Sequence, residues 1–329
     1  MRLAMTVLCC LPRRRAWLHW ACALLLLSVT ATAFARASGI APDPCARAAV
    51  PATSTANARP GGKAIPYSPG LLWLIQSPDG HSSYLFGTLH SSAPRVTHLP
   101  VQVQQAIRAS QRMAVEVTID ADAGARYRNA MFSDRDNLYR LLDMPMFIKA
   151  VQMLAGYGVR ATDSARMKPW AAFNILGRPK PDQRPVLDSV LIQLAQAQHM
   201  RVDGLESMDE LVAALDSIPV PDQLVILTDT ICQHDDVAAQ DQQITELYLR
   251  RDTAGMLAIA YPASPGDTAV HERFMQTMLV DRSERMAQRM TGLLSKGGVF
   301  IAVGALHLPG DDGVLARLHA AGYRITRVY

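Results

Sequence analysis

Two histidines of this 329-residue chain end the same four-residue motif, in which a glycine stands three positions before the histidine. The first motif is residues 87–90 (Gly-Thr-Leu-His), and the second motif is residues 304–307 (Gly-Ala-Leu-His). Histidine binds divalent metals and transfers protons near neutral pH, while glycine lets a backbone or a ligand approach closely. The pattern therefore predicts a site with metal or proton chemistry that uses His90 and His307.

The residues before each motif favour a β-strand. Residues 84–86 precede the first motif and residues 299–303 precede the second, and both segments are rich in aromatic and β-branched side chains. With nine histidines and twenty glycines in the chain, a Gly-x-x-His spacing can arise by chance. The strand context therefore carries most of the weight of the prediction. If both strands belong to one sheet, His90 and His307 lie at a shared edge.

Glu116 is the next candidate, because it stands between Val115 and Val117 in a predicted strand over residues 113–119. A carboxylate among apolar neighbours is costly unless it is paired, protonated or bound to a cation. The alternative is that strand alternation turns Glu116 to a solvated face while Val115 and Val117 point inward.

Arg282 interrupts an apolar stripe on a predicted helix. A guanidinium held against a core stays charged and seeks a carboxylate or an anionic ligand, so Arg282 is predicted either to pair with Glu116 or to stabilise charge developing on a substrate. The alternative is an arginine at the helix edge whose head group reaches water.

The elements that must position these residues predict an α/β fold. A hairpin over residues 71–86, a helix over 100–110 and the strand over 113–119 begin the domain, and a strand, a helix and a strand end it after residue 299. The middle, 121–295, reads as mainly helical with a short extended piece at 201–205. We predict a central mixed sheet built from N- and C-terminal strands, with a large helical middle.

The N-terminus has the composition of a secretory signal. Arginines at positions 13–15 precede an apolar stretch over 16–29 and small residues up to 37, so we predict a signal peptide at 1–37, a flexible leader at 38–66 and one domain at 67–329. The mature protein is then periplasmic or secreted, with no stable membrane span. An uncleaved membrane anchor is the alternative.

Cleavage would also change the charge and the cysteine content. The first 37 residues hold five arginines and no acid, so their removal lowers the formal net charge from +4 to −1 and argues against nucleic acid as a partner. Cys45 and Cys232 then remain. Export permits a disulfide between them, and two unpaired thiols are the alternative.

Taken together, the motifs resemble the TraB/GumN family and the TIKI-type metallopeptidases that share the doubled motif. The matching segments are 86–90, 115–117, 168–170, 185–188, 204–207, Arg282 and 303–313. The resemblance implies an α/β domain related to erythromycin-esterase-like and ChaN-like proteins. It also implies that His90, Glu116 and His307 bind or act beside a divalent metal, with Arg282 completing the site. Members often have asparagine after this arginine, where the chain has Ser283.

Two imidazoles and a carboxylate leave open positions on a divalent ion for water and a substrate carbonyl, which suits hydrolysis. Manganese, cobalt and zinc all accept such ligands. We therefore predict an exported metal-dependent hydrolase acting on a peptide or another amide or ester, with Glu116 as ligand or general base. The alternatives are a non-catalytic protein that captures a peptide signal, a metal or a haem-like ligand, and an envelope protein that supports polysaccharide export.

Overall fold

The structure is a computed structural model that describes Cys45 and residues 64–117, 121–260 and 268–329. The predicted signal peptide lies outside the described residues. So does the predicted leader, apart from Cys45 and residues 64–66.

Six strands form one mixed sheet in the order β4-β3-β5-β2-β1-β6 within the described residues. β1 is antiparallel to β2 and β6, whereas β2, β5, β3 and β4 pair in parallel. The carboxyl ends of these four parallel strands therefore meet at one edge of the sheet, where α/β proteins bind their ligands. The strands are β1 (Leu72–Gln76), β2 (Ser82–Thr88), β3 (Arg112–Val117), β4 (Arg201–Glu206), β5 (Val299–Gly304) and β6 (Arg324–Arg327).

The predicted α/β class is confirmed, with five of these strands coming from the two ends of the domain. The extended piece predicted at 201–205 becomes β4, which adds a strand from the helical middle. In the parallel pair, Val117 of β3 lies opposite Glu206 of β4. This register brings a second acidic residue to the carboxyl edge.

Helices account for most of the remaining described residues. A π-helical turn, Gln276–Val280, leads directly into the helix Asp281–Leu294, and a 3₁₀ turn, Ala305–His307, carries the second motif. The helices are α1 (Pro94–Thr97), α2 (Val101–Arg108), α3 (Ala121–Ala130), α4 (Leu138–Leu141), α5 (Met144–Ala155), α6 (Ala161–Arg166), α7 (Pro169–Leu176), α8 (Leu187–Ala197), α9 (Met208–Ser217), α10 (Val220–Cys232), α11 (Val237–Leu249), α12 (Thr253–Ala260), α13 (Thr268–Met275), α14 (Asp281–Leu294) and α15 (Val314–Ala320).

Strand alternation divides the core into two layers around the sheet. In β5, Phe300 and Ala302 pack in the layer that includes α2 and α8, whereas Ile301 and Val303 pack in the layer that includes α14 and α15. A separate cluster around the fully buried Trp170 holds the helical middle together. Because α8 and α14 cover opposite faces, each can direct side chains to the carboxyl edge from its own side.

Cys45 and Cys232 form a disulfide that attaches Cys45 to the end of α10. Of the two alternatives that the cysteine count left open, the structure contains the bridge. The N-terminal segment is therefore tied covalently to the helical middle.

Candidate functional site

The two motifs lie side by side, because β2 and β5 are adjacent parallel strands and Thr88 is in register with Gly304. Close packing joins them. A Cβ atom on Gly87 would lie 2.7 Å from Leu308 Cδ1 and 3.0 Å from Ala305 Cα. Gly87 therefore allows the turn that carries His307 to rest directly on β2. The shared edge predicted from the strand context is present.

Glu116 and His307 face each other at this edge. The Glu116 side chain is 27% exposed, and its Oε2 accepts a hydrogen bond of 2.9 Å from the Gly304 N–H and lies 3.9 Å from His307 Nε2. A Cβ atom on Gly304 would lie 3.3 Å from Glu116 Oε2 and 3.4 Å from His307 Cδ2. Glycine at this position leaves room between the two side chains. The alternative of a solvated Glu116 is wrong, because the side chain turns towards α14.

Arg282 is the partner of Glu116. It is buried on α14, and its Nη2 donates to Glu116 Oε1 at 2.6 Å. Nε and Nη2 donate to Glu206 Oε2 at 2.9 and 2.6 Å, and Nη1 donates to the Met278 carbonyl at 3.4 Å. Arg282 is thus paired inside the protein, as the first of its two predicted roles requires, and it does not reach water from the helix edge.

Sequence reasoning gave Glu206 no role, although this residue is 1% exposed and bridges two arginines. Arg285 donates to its second oxygen through Nε and Nη2, at 3.0 and 2.7 Å. Glu116, Arg282, Glu206 and Arg285 therefore form a continuous network with no net formal charge. The signal that marks Glu116 also applies here, since Glu206 follows the apolar Leu205 at the end of an extended segment.

Ser283 holds the ring of His307. The buried Ser283 Oγ lies 2.8 Å from His307 Nδ1, and His307 itself has only 6% of its side chain exposed. When the proton is on Nδ1, the Ser283 hydroxyl accepts a hydrogen bond from it, and the lone pair is on Nε2, 3.9 Å from Glu116 Oε2. The position at which the resemblance leads us to expect asparagine is therefore occupied by a residue that contacts the second motif.

Burial and neighbouring charges shift the pKa values of Glu116 and His307 at this edge. Burial alone would raise the pKa of Glu116, but the positive charges of His307 and Arg282 and the Gly304 N–H outweigh it and bring this pKa to about 2. Burial lowers the pKa of His307 below its ordinary value, even though Glu116 acts in the opposite direction. Near neutral pH, the edge therefore holds an ionised carboxylate and a neutral imidazole.

His90 has a different environment. Its side chain is 56% exposed, and its Nδ1 lies 3.3 Å from Oδ2 of Asp188 in the first turn of α8. The other oxygen, Asp188 Oδ1, accepts a hydrogen bond of 2.8 Å from Thr88 Oγ1. Sequence reasoning missed this role of Asp188, although residues 185–188 contributed to the family resemblance.

Across the described ranges, no three His, Cys, Asp or Glu side chains are close enough together to hold a metal ion. Two of the three predicted ligands, Glu116 and His307, do face each other, and their oxygen and nitrogen donors suit manganese, cobalt or zinc. His90 ends the adjacent strand but pairs with Asp188. Within the described residues, Glu116 and His307 thus offer two donors to a divalent ion, and His90 at the end of the adjacent strand does not complete a group of three.

The fold and site define an α/β protein whose carboxyl edge carries paired Gly-x-x-His motifs beside a buried carboxylate–arginine network. Residues 71–327 match the model of the TraB/PrgY/gumN family, and the chain belongs to this family. The resemblance noted from the motifs is thereby confirmed.

The chain is similar to three vertebrate proteins. Metalloprotease TIKI2 of Danio rerio is 24% identical over 77% of this chain and 60% of its own length. Metalloprotease TIKI1 of Danio rerio is 23% identical over 77% and 62%, and metalloprotease TIKI2 of Xenopus tropicalis is 25% identical over 74% and 57%. The aligned region spans about 60% of these relatives' length. No solved structure matches the chain.

Proposed function

We propose that this protein is a metal-dependent hydrolase of the peptidase type, with its site at the carboxyl edge of the sheet. The observation that carries the proposal is the meeting of both motifs on adjacent parallel strands, with Glu116 facing His307 across Gly304. The names of the similar TIKI metalloproteases support peptide bonds as the target. Other amides and esters share the carbonyl chemistry.

In this proposal, His307 and Glu116 hold a divalent ion, manganese, cobalt or zinc, and His90 supplies the third ligand. Such an ion lowers the pKa of water and polarises a carbonyl group. Buried neighbours control the charge and orientation of Glu116 and His307. Arg282 keeps Glu116 ionised, Ser283 fixes the His307 ring, and the Gly304 N–H orients the Glu116 carboxylate.

The depressed pKa of Glu116 favours one of its two predicted roles. A general base works best when its pKa lies near the operating pH, and a carboxylate with a pKa of about 2 binds protons weakly at neutral pH. The same carboxylate is a good ligand, because it is ionised at every physiological pH. We therefore assign Glu116 to ligand binding, with the neutral His307 beside it.

Export is part of the proposal. It rests on the N-terminal signal pattern, and the disulfide between Cys45 and Cys232 is compatible with an oxidising compartment such as the periplasm or the extracellular space. In the part of the chain that the structure describes, no single helix is long and apolar enough to cross a bilayer. Two consecutive helices, Met208–Ser217 and Val220–Cys232, reach that criterion only as a pair bent by 94°.

Metal content measured on the purified full-length protein tests the shared site. We expect one equivalent of cobalt in the wild type after cobalt dialysis, and its loss in both His90→Ala and His307→Ala. His98→Ala is the matched control, because His98 also precedes Leu-Pro but is exposed and lacks a glycine three residues earlier. Full metal retention in a folded His90→Ala or His307→Ala variant would contradict the shared site.

Peptide-library digestion with added manganese, cobalt or zinc separates an enzyme from a binding protein. Cleavage that requires metal and both motif histidines is the expected result. Stoichiometric metal with no cleavage of any peptide, amide or ester probe would favour the binding-protein alternative. The Glu116→Gln variant should lose metal and turnover together; retained metal without turnover would restore the general-base role.

A further inference from the structure

The backbone around the first motif is held by hydrogen bonds from two helices outside it. The buried Tyr248 donates its hydroxyl proton to the Gly87 carbonyl at 2.9 Å, and the Leu187 N–H donates to the Ser91 carbonyl at 3.0 Å. These bonds attach α11 and the start of α8 to the backbone on either side of His90. Asp188, which follows Leu187, is therefore held close to the motif.

The Asp188 carboxylate is itself oriented by the motif. Thr88, buried at the last position of β2, donates to Oδ1 at 2.8 Å, which leaves Oδ2 facing His90 Nδ1 at 3.3 Å. The second motif has Ala305 at the position that corresponds to Thr88. The Thr88 hydroxyl, which orients the Asp188 carboxylate, is therefore specific to the first motif.

We propose that Asp188 is the positioning residue of His90: it accepts a hydrogen bond from Nδ1–H and so keeps the proton on Nδ1, which leaves Nε2 unprotonated and free to bind a ligand. An ionised carboxylate has only acceptors, so the contact is favourable only when Nδ1 carries the proton. This inference rests on the proposed function, in which His90 is a metal ligand. Metal-binding histidines commonly donate their second ring N–H to a carboxylate or a carbonyl in this way.

The second motif has the same arrangement with a different partner. His307 Nδ1 contacts Ser283 Oγ on α14, whereas His90 Nδ1 contacts Asp188 on α8. The two helices cover opposite faces of the sheet. Each motif histidine thus has the same ring nitrogen, Nδ1, in contact with an oxygen from a helix on its own side of the sheet.

Nitrogen NMR of the histidine rings in the metal-free, full-length protein tests the role of Asp188. A free neutral imidazole prefers the proton on Nε2, so a proton on Nδ1 of His90 is a specific signature. With spectra recorded at about pH 8, where histidines are largely neutral, and His90 assigned through His90→Gln, we expect Nδ1–H in the wild type. Asp188→Ala should shift the population towards Nε2–H.

Two further variants complete the test. Thr88→Val keeps the shape of the side chain but removes the hydroxyl, and it should move the tautomer in the same direction; it decides the matter if Asp188→Ala does not fold. Asp134→Asn is the control, because this carboxylate is 86% exposed and lies elsewhere. A wild type with Nε2–H on His90, or an Asp188→Ala variant that keeps Nδ1–H, would overturn the proposal.

Cobalt titration distinguishes failure of this inference from failure of the proposed function. Loss of a carboxylate behind a metal-binding histidine weakens metal affinity by about 10- to 100-fold, and we expect that loss in Asp188→Ala. Unchanged affinity together with a changed tautomer would overturn the positioning role. A wild type that binds no cobalt would instead contradict the proposed metal site. The tautomer measurement would still test the contact between Asp188 and His90.

Discussion

The two motifs have the same spacing but opposite surroundings. His90 has 56% of its side chain exposed and faces a carboxylate, whereas His307 has 6% exposed and lies among Ser283, Glu116 and the Arg282 network. The difference shows that a Gly-x-x-His motif places a histidine at the strand end without setting its environment. The helices that pack on each face of the sheet set it. The second motif is thus enclosed by buried polar and charged partners, whereas the first motif is held by Asp188 at a partly exposed position.

The largest loss of unfolding free energy, and the clearest difference between the two motifs, should come from Arg282→Met. This change leaves Glu116 and the fully buried Glu206 without their shared cation, and breaking a buried ion pair costs about 3–5 kcal/mol. In the exposed motif, Asp188→Ala should cost less than about 1 kcal/mol. Urea unfolding of both variants measures the difference. Similar losses of unfolding free energy would contradict the contrast between a buried and an exposed motif.

Acid should destabilise the buried motif next most strongly. Folding lowers the pKa of Glu116 to about 2 and also lowers that of His307, so the unfolded chain binds more protons and stability rises with pH. The contribution of Glu116 to the free energy of unfolding is complete above its ordinary pKa of 4.5 and disappears as the pH falls to about 2. We expect about 1–3 kcal/mol from this group. Urea midpoints between pH 5 and about 2 should fall less steeply in Glu116→Gln; an unchanged slope would contradict the assignment.

Gly87→Ala should weaken the contact between the motifs. The new Cβ atom would lie 2.7 Å from Leu308 Cδ1 and 3.0 Å from the Ala305 backbone, and overpacking of this kind costs about 1–3 kcal/mol. Gly292→Ala is the matched control, because a Cβ atom on this helical glycine meets nothing within 4 Å. The control should be neutral or slightly stabilising. Thermal unfolding of the two variants measures the difference. Equal midpoints would contradict close packing at Gly87.

The smallest effect should come from Ser283→Ala. It removes one hydroxyl from the buried His307 Nδ1, and an unsatisfied buried group costs about 1–2 kcal/mol. Thr88→Val is the matched change in the first motif, where the more exposed Asp188 can turn to water, and it should cost about half as much. Chemical unfolding gives both values. A larger loss in Thr88→Val than in Ser283→Ala would contradict the expected effect of burial on the two contacts.

Much of this site could be predicted from local sequence. Apolar runs that stop at Gly-x-x-His located two strand ends, and Glu116 and Arg282 stood out because each is a charge within an apolar pattern. Their pairing was one of the two roles predicted for Arg282, from the cost of burying either charge alone. Glu206 received no role although it follows an apolar residue in an extended segment. Ser283 and Asp188 received none because a polar residue in a helix does not stand out locally, and their partners lie 24 and 98 positions away in the chain.

Local sequence is enough to predict the strand ends, the α/β class and the residues able to do chemistry, because side-chain alternation, glycine and a charge within an apolar run are properties of neighbouring positions. The grouping of those residues depends on long-range packing. Parallel pairing of β3 with β4 brought Glu206 to the edge, and the packing of α8 and α14 on opposite faces gave His90 a carboxylate and His307 a hydroxyl. These contacts depend on which helix covers which face of the sheet, and that is settled only when the whole core packs.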